Sequence, residues 1–431
     1  MINRYNWQHT PDDLRQKLLQ RASIDITEQM KTALAICEDV RQRGDEALVD
    51  YTKRFDGVQL TASQLRVSDE EMVSGVQQVD ETMREVLTYS FSNIKKFHEA
   101  QMPEPIWMME VDEGIMAGEK TTAIPDVALY VPRGKGSFPS VLLMLGVPAM
   151  VAGVSRIIVV TPPNEEGLID PAILFAAQLV GIHEIYKVGG AQAIAAVAYG
   201  TQSVPKCAKV IGPGNPYVTA AKRLLMGAID PGVMAGPSEA IILADEGADP
   251  KKVALDWMIE AEHGPDSASL LVTHSEQLAD LVEQELEVLV ASLKSPVRKE
   301  FVTTVMNRYG GIVVTASLEE SIAFVNAYAP EHMEVMVRDP FAVLPKIQHA
   351  GEILLGEYTP ITLCNFLMGP NAILPTGRNA RTVSAVSVWD FMKRSSIGYV
   401  TQDGFMRIRD YAARFADVEG FETHAKAVRE R

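Results

Sequence analysis

Glu260 and His263 stand three residues apart at the end of an apolar-periodic run, Val253-Ala254-Leu255-Asp256-Trp257-Met258-Ile259. Read as a helix, the run brings both side chains to one face, and Gly264-Pro265 ends it at the histidine. A carboxylate and an imidazole so spaced can hold one divalent ion, zinc first among them. Taken alone, they can equally hydrogen-bond to each other at a surface helix end. A second pair, Glu331-His332, follows Ala329-Pro330 between a helical stretch and a strand. An adjacent carboxylate and imidazole at such a junction can supply two proton-transfer groups to one cleft, or simply close a solvated helix end.

The elements that must present these pairs follow from the apolar pattern. Over residues 1–100, apolar residues recur at helical spacing at 27–51 and 69–101 amid many charges, so this stretch reads as mostly helical. It has little core of its own and is expected to pack on other domains or on another subunit; His98 reads as a surface residue. From about residue 120 the rhythm changes. Short apolar runs at 127–131, 156–160, 184–188 and 209–211 alternate with helical stretches at 140–154, 171–181, 191–199 and 217–226. A second series has strands at 240–244, 269–273, 311–314, 333–337 and 352–355, with the Glu260–His263 helix and helices at 275–293 and 318–329 between them. Such alternation implies parallel βαβ units, and continuous apolar runs suit strands covered on both faces. The expected fold is α/β: two doubly wound, Rossmann-like domains with a helical N-terminal region and a small C-terminal appendage. The expected limits are 1–119 for the helical region, 120–234 and 235–360 for the two α/β domains, and 361–431 for the appendage.

The 431 residues exceed one ordinary core. Contents of 47% hydrophobic and 22% charged residues are those of a soluble globular protein. A formal charge of −16 argues against nucleic acid and anionic membrane surfaces as partners. No apolar run approaches the roughly 20 residues of a membrane span, and the first residues, Met1 to Trp7, show no signal-peptide core. Three cysteines, Cys37, Cys207 and Cys364, lie far apart and offer no disulfide framework, which suits a reducing cytoplasm.

Gly189-Gly190-Ala191-Gln192 and Gly212-Pro213-Gly214-Asn215 each sit between a strand and a helix. Glycines there let the backbone approach a phosphate at a helix N-terminus. Neither is a G-x-G-x-x-G fingerprint, and ordinary turn chemistry accounts for both as well. Ala235-Gly236-Pro237-Ser238-Glu239 leads into the second strand series and reads equally as a linker. Gly369-Pro370-Asn371 with Leu374-Pro375-Thr376 is turn-rich, and Glu419-Gly420 with His424-Ala425 lies near the C-terminus. Singly these say little. Taken in this order with Ala261-Glu262-His263-Gly264-Pro265-Asp266-Ser267 and Ala329-Pro330-Glu331-His332, they make the chain from about residue 30 resemble the histidinol dehydrogenase family.

The resemblance implies a zinc-dependent homodimer that takes an amino alcohol through an aldehyde to the carboxylate with two NAD molecules in turn, as in L-histidinol to L-histidine in histidine biosynthesis. It also assigns residues by motif. Glu331 and His332 fall on the catalytic pair, and Tyr130, Gln192 and Asn215 on NAD contacts. Ser238 falls on a substrate contact, and Glu419 on a substrate contact from the partner subunit. Glu260, His263, Asn365 and His424 fall on the four metal positions, which with His332 also surround the substrate. Three positions depart from the family pattern. Glu260 replaces a Gln, Asn365 replaces an Asp, and Ala372 stands where the family has a substrate-holding His. The first two changes cancel in charge, and Glu, two His and an amide oxygen remain a credible zinc shell. Ala372 removes a polar group without replacement. Two further readings follow: a paralogous dehydrogenase acting on a different polar alcohol, and a non-catalytic ligand-binding relative, against which the retained Glu331-His332 pair argues.

Overall fold

The computed structural model describes residues 2–20, 26–133, 136–233 and 236–431. The apolar runs form two wholly parallel sheets. The first has four strands in the order Glu184–Tyr186, Arg156–Val160, Asp126–Tyr130, Val210–Ile211. Its winding reverses between the last two, where open α/β sheets carry their ligand crevice. Gly212 is needed there: a Cβ would lie 2.1 Å from the Tyr130 carbonyl oxygen. Helices Pro139–Val151 and Pro171–Val180 cover one face of this sheet, and Gly190–Tyr199 and Pro216–Leu224 the other.

The second sheet has six parallel strands in the order Arg4–Asn6, Gly311–Val314, Ala268–Thr273, Glu239–Ala244, His332–Met336, Glu352–Leu355. Its winding reverses between Glu239–Ala244 and His332–Met336. Helices Pro250–Ala261, Glu276–Ser292 and Pro296–Arg308 bury one face around the fully buried Trp257. Helix Leu318–Tyr328 covers the other with Phe324 and Val325.

The N-terminal helices complete the first sheet's core. Thr27–Arg43 lays Ala33, Ile36 and Val40 onto Gly190–Tyr199 and Pro216–Leu224. The helix read over 27–51 is two, broken at Gly44, whose φ of 57° suits glycine. The one read over 69–101 is also two, restarted at Asp80, which caps Glu81–Ala100 by accepting from Met83 N at 2.9 Å. On this last helix His98 is fully buried, not at the surface. The buried face turns toward the 369–371 loop, and His98 Nδ1 lies 2.7 Å from Gln101 Oε1.

A third sheet is absent from the sequence reading. Ile106–Asp112, Ile115–Ala123 and Met392–Val400 pair antiparallel, so residues 106–119 belong to a hairpin, not a helix. The C-terminal segment forms helices Gln402–Val418 and Glu422–Arg429, which pack on each other. Among the described residues no helix is long and apolar enough to cross a membrane. Cys37, Cys207 and Cys364 are buried and free.

Candidate active site

A cavity of about 520 Å³ opens between the two parallel sheets. One wall is Gly214, Asn215 and the start of helix Pro216–Leu224, just past the carboxyl end of strand Val210–Ile211. The other is Ser238, His263 and Gly264, just before the amino ends of strands Glu239–Ala244 and Ala268–Thr273. The carboxyl edge of one sheet thus faces the amino edge of the other. A helix start carries partial positive charge and a helix end partial negative charge, so the first wall favours an anion and the second a cation.

On the first wall, Asn215 caps its helix, its Oδ1 accepting from Tyr217 N at 3.0 Å and Val218 N at 3.1 Å. Tyr130 and Gln192 lie behind the Gly189-Gly190 turn, both almost wholly buried. Gly190 N donates to Tyr130 Oη at 3.1 Å, and burial pushes the phenol up to about 12. Gln192 Oε1 is buried without a donor. Lys222, also buried, donates from Nζ to the Gly212 carbonyl at 2.7 Å and braces the second glycine turn from below.

On the second wall, helix Pro250–Ala261 delivers Glu260 fully buried, and the turn after it delivers His263. His263 Nδ1 lies 2.9 Å from Glu260 Oε2 and 3.1 Å from Ser238 Oγ. The first contact is an ion pair without hydrogen-bond geometry, so both Glu260 oxygens stay without a donor. Burial alone raises Glu260, but the neighbouring His332 and His263 outweigh it and hold the carboxylate down at about 2.

Glu331 and His332 start the adjacent strand of the same sheet and are buried. His332 Nε2 lies 3.8 Å from Glu331 Oε1 and 3.9 Å from Glu260 Oε1. Glu331 Oε2 accepts from Glu239 N at 2.9 Å. Burial pushes Glu331 up to about 8, with Glu260 adding repulsion and His332 opposing. For His332, burial disfavours the charged ring, but Glu260, Glu331 and Glu352 outweigh it and raise the imidazole to about 10. Five chemistry-bearing side chains from three elements and their turns therefore meet: Ser238, Glu260, His263, Glu331 and His332.

The remaining sequence candidates lie elsewhere. Asn365 is half-buried on helix Ile361–Phe366, which packs on Ile259 beside Glu260. The N-terminus of that helix is pinned by Ile361 N donating to Glu334 Oε1 at 2.7 Å. Ala372 packs against the apolar cluster of the first sheet, while Asn371 Nδ2 donates to the Met144 carbonyl. Ala372 therefore faces the core, not the 520 Å³ cavity. Glu419 and His424 are exposed on the C-terminal helices, the His424 ring 4.9 Å from that of Phe421. Among the described residues of one chain, no group of three or more His, Cys, Asp or Glu assembles a metal site. Glu260 and His263 nevertheless fit a divalent cation: an ionised carboxylate buried without a donor, next to an imidazole at a helix end, is stabilised by positive charge.

Sequence reasoning missed Glu239, Glu334 and Glu352, each a carboxylate in an otherwise apolar strand. That contrast was the available signal, since a charge inside a buried strand needs a partner. Glu239 Oε1 accepts from Gly377 N at 3.2 Å and ties the 376–377 turn to the cavity. Glu352 contacts His332 Nδ1.

The family model for histidinol dehydrogenase matches residues 19–431. Histidinol dehydrogenase of Synechocystis sp. is 49% identical, covering 98% of this chain and 97% of its own. A histidinol dehydrogenase homolog of Colwellia psychrerythraea is also 49% identical, covering 96% of this chain and 93% of its own. The crystal structure of histidinol dehydrogenase from Elizabethkingia anophelis matches with a TM-score of 0.92 at 35% identity, covering 99% of this chain and 97% of that one. Sequence and fold agree along almost the whole length, and the chain belongs to the histidinol dehydrogenase family of oxidoreductases.

Proposed function

We propose that the protein oxidises a primary alcohol through a bound aldehyde to the carboxylate, as in L-histidinol to L-histidine. One observation carries this reading: His332 Nε2 faces Glu331 and Glu260 in a buried corner beside the cavity that Ser238, His263 and Asn215 line. In the reaction one alcohol, one water and two NAD give one carboxylate, two NADH and three protons. His332 Nε2 takes the hydroxyl proton as a hydride leaves the carbon. Glu331 takes a proton from the water that adds to the aldehyde carbon; burial makes it a stronger base than an ordinary carboxylate. Loss of a second hydride and proton from the hydrate yields the acid, and the buried corner keeps the aldehyde from bulk water meanwhile. When bound, NAD would accept the hydrides, and a divalent cation held by Glu260 and His263 would supply Lewis acidity and offset the Glu260 charge that holds a proton on His332.

Tyr130, Gln192 and Asn215 are proposed to hold NAD, with the helix start after Asn215 suited to its pyrophosphate. Glu260, His263, Asn365 and His424 would hold zinc, and Glu419, reaching across between subunits of a homodimer, would contact substrate. The shared site is supported by exposed apolar residues on the C-terminal helices, Tyr411, Phe415, Val418 and Phe421, which suit burial in a homodimer. The two α/β domains and their flanking regions are proposed to divide near residues 119, 234 and 360, and three buried free thiols suit a cytoplasmic enzyme.

A second reading keeps the chemistry and changes the substrate to another polar alcohol. It is favoured by Glu260 and Asn365, and relatives named histidinol dehydrogenase and histidinol dehydrogenase homolog match equally at 49%. The test is NADH formation from L-histidinol and a panel of other polar alcohols, with metal analysis of the same sample. L-histidinol as best substrate supports the first reading and another alcohol the second; no NADH from any alcohol would sink both.

A further inference from the structure

We infer that Glu352 is the positioning residue of the proposed base: it accepts a hydrogen bond from His332 Nδ1–H and thereby turns Nε2 toward Glu331 and Glu260. The inference rests on the proton-transfer reading of His332. Sheet geometry is the first support. Strands His332–Met336 and Glu352–Leu355 run parallel with His332 opposite Glu352. Residues opposite each other in a parallel pair project to the same face, so the register itself brings the carboxylate against the ring.

The backbone holds that register at the site. Glu352 N donates to the Glu331 carbonyl at 3.0 Å and Gly351 N to the Pro330 carbonyl at 2.9 Å. Gly351 permits the close approach, since a Cβ there would lie 2.6 Å from the Glu331 carbonyl oxygen. With both backbones tied, Glu352 Oε1 contacts His332 Nδ1. The opposite ring nitrogen, Nε2, lies toward Glu331 and Glu260. A hydrogen bond at one ring nitrogen decides which tautomer the other presents. With Nδ1–H donated to Glu352, neutral His332 carries its lone pair on Nε2, on the side where a substrate hydroxyl would lie.

Stability does not explain the pair. Glu352 is nearly buried, and besides His332 it meets the Cys364 thiol, a weak donor, so a buried carboxylate here costs folding free energy. A purely structural ion pair at this place would be a poor one. A carboxylate that orients a ring needs only one well-placed oxygen, which Oε1 supplies.

The test combines kinetics with proton NMR of the full-length enzyme, assayed with L-histidinol and NAD. Glu352→Ala should lower kcat by about 10–100-fold, the usual cost of losing a group that orients a histidine, while the KM for each substrate moves far less. Glu352→Gln keeps an acceptor oxygen and should recover most of that loss. In the His332→Ala background, Glu352→Ala should cost nothing further, because residues that act as one unit are not additive. Independently of any substrate, the wild type should show a far-downfield imidazole N–H resonance that disappears in both His332→Ala and Glu352→Ala. Wild-type kcat in Glu352→Ala, an equal loss in the His332→Ala background, or persistence of that resonance without Glu352 overturns the inference. Undiminished turnover in His332→Ala would instead overturn the proton-transfer reading beneath it. If Glu352→Ala does not fold, the near-isosteric Glu352→Gln still decides through its resonance and its additivity with His332→Ala.

Discussion

Ser238 Oγ lies 3.1 Å from His263 Nδ1 although 25 positions separate them in sequence. Strand Glu239–Ala244 begins just after the serine, and strand Ala268–Thr273 just after the turn that carries the histidine. Pairing of Glu239 with Ala268 therefore draws the two residues together. With Nδ1 directed toward Ser238 and Glu260, the ring's Nε2 is left for a cation. The purified protein should hold about one zinc per chain. Glu260→Ala and His263→Ala should each lose it on dialysis, as read by elemental analysis. Full metal content in both variants would show that these residues do not ligate.

His332→Ala should lower turnover by about 10²–10⁴-fold, the contribution of a positioned base. NAD affinity, measured by titration, should stay within a few-fold, because Asn215 and the glycine turns lie on the other wall. A fall in NAD affinity as large as the fall in turnover would place His332 in cofactor binding instead.

Glu331→Gln should impair oxidation of the aldehyde more than oxidation of the alcohol, since only the second half-reaction adds water. The two steps are separable by supplying the aldehyde directly. Equal losses would remove Glu331 from water activation.

L-histidinol should be turned over less efficiently here than by family members with Gln and Asp at the positions of Glu260 and Asn365, because the two exchanges move the carboxylate from one proposed cation ligand to another. Asn365→Asp combined with Glu260→Gln should raise kcat/KM on L-histidinol. Adding Ala372→His should contribute nothing further, since Ala372 packs on an apolar cluster away from the cavity. High wild-type efficiency with no gain in the folded double variant would show that the two positions do not set specificity.

Lys222 gives a pH dependence of stability remote from the proposed metal ligands. Burial lowers its ammonium from 10.5 to about 7 in the folded chain. Between those values the unfolded chain binds the extra proton, so this group's contribution to stability grows as pH rises and is lost as pH falls toward 7. Lys222→Met removes that dependence. The thermal midpoint of the variant relative to wild type should therefore decline as pH rises from about 7 to about 10. A constant difference across that range would mean that Lys222 stays charged when folded.

The parallel sheets were legible because their strands are unbroken apolar runs. Val127 to Val131 and Ala240 to Ala244 have no polar interruption and require cover on both faces. The antiparallel sheet was not legible. Strand Ile106–Asp112 is exposed along its whole length, so it carries no alternation for a pattern to detect. Its hairpin partner Ile115–Ala123 pairs on the other side with Met392–Val400, far away in sequence, which no local signal encodes. His98 was misread for a related reason: a histidine on a helix does not announce which face the next element will cover.

The sequence by itself determined which chemistry is available. Glu260 with His263 is a helical-spacing pair, and Glu331-His332 is adjacent, so both survive any packing of the elements that carry them. Only the tertiary structure decided that the two pairs share a corner, because that depends on strand order: Glu239–Ala244 lies between Ala268–Thr273 and His332–Met336. It alone decided that Glu352 meets His332, since cross-strand register is a contact between segments 20 residues apart and a one-residue slip would send the carboxylate to the opposite face. It also decided that Ala372 faces the core, because burial is a property of what packs against a residue and not of the residue.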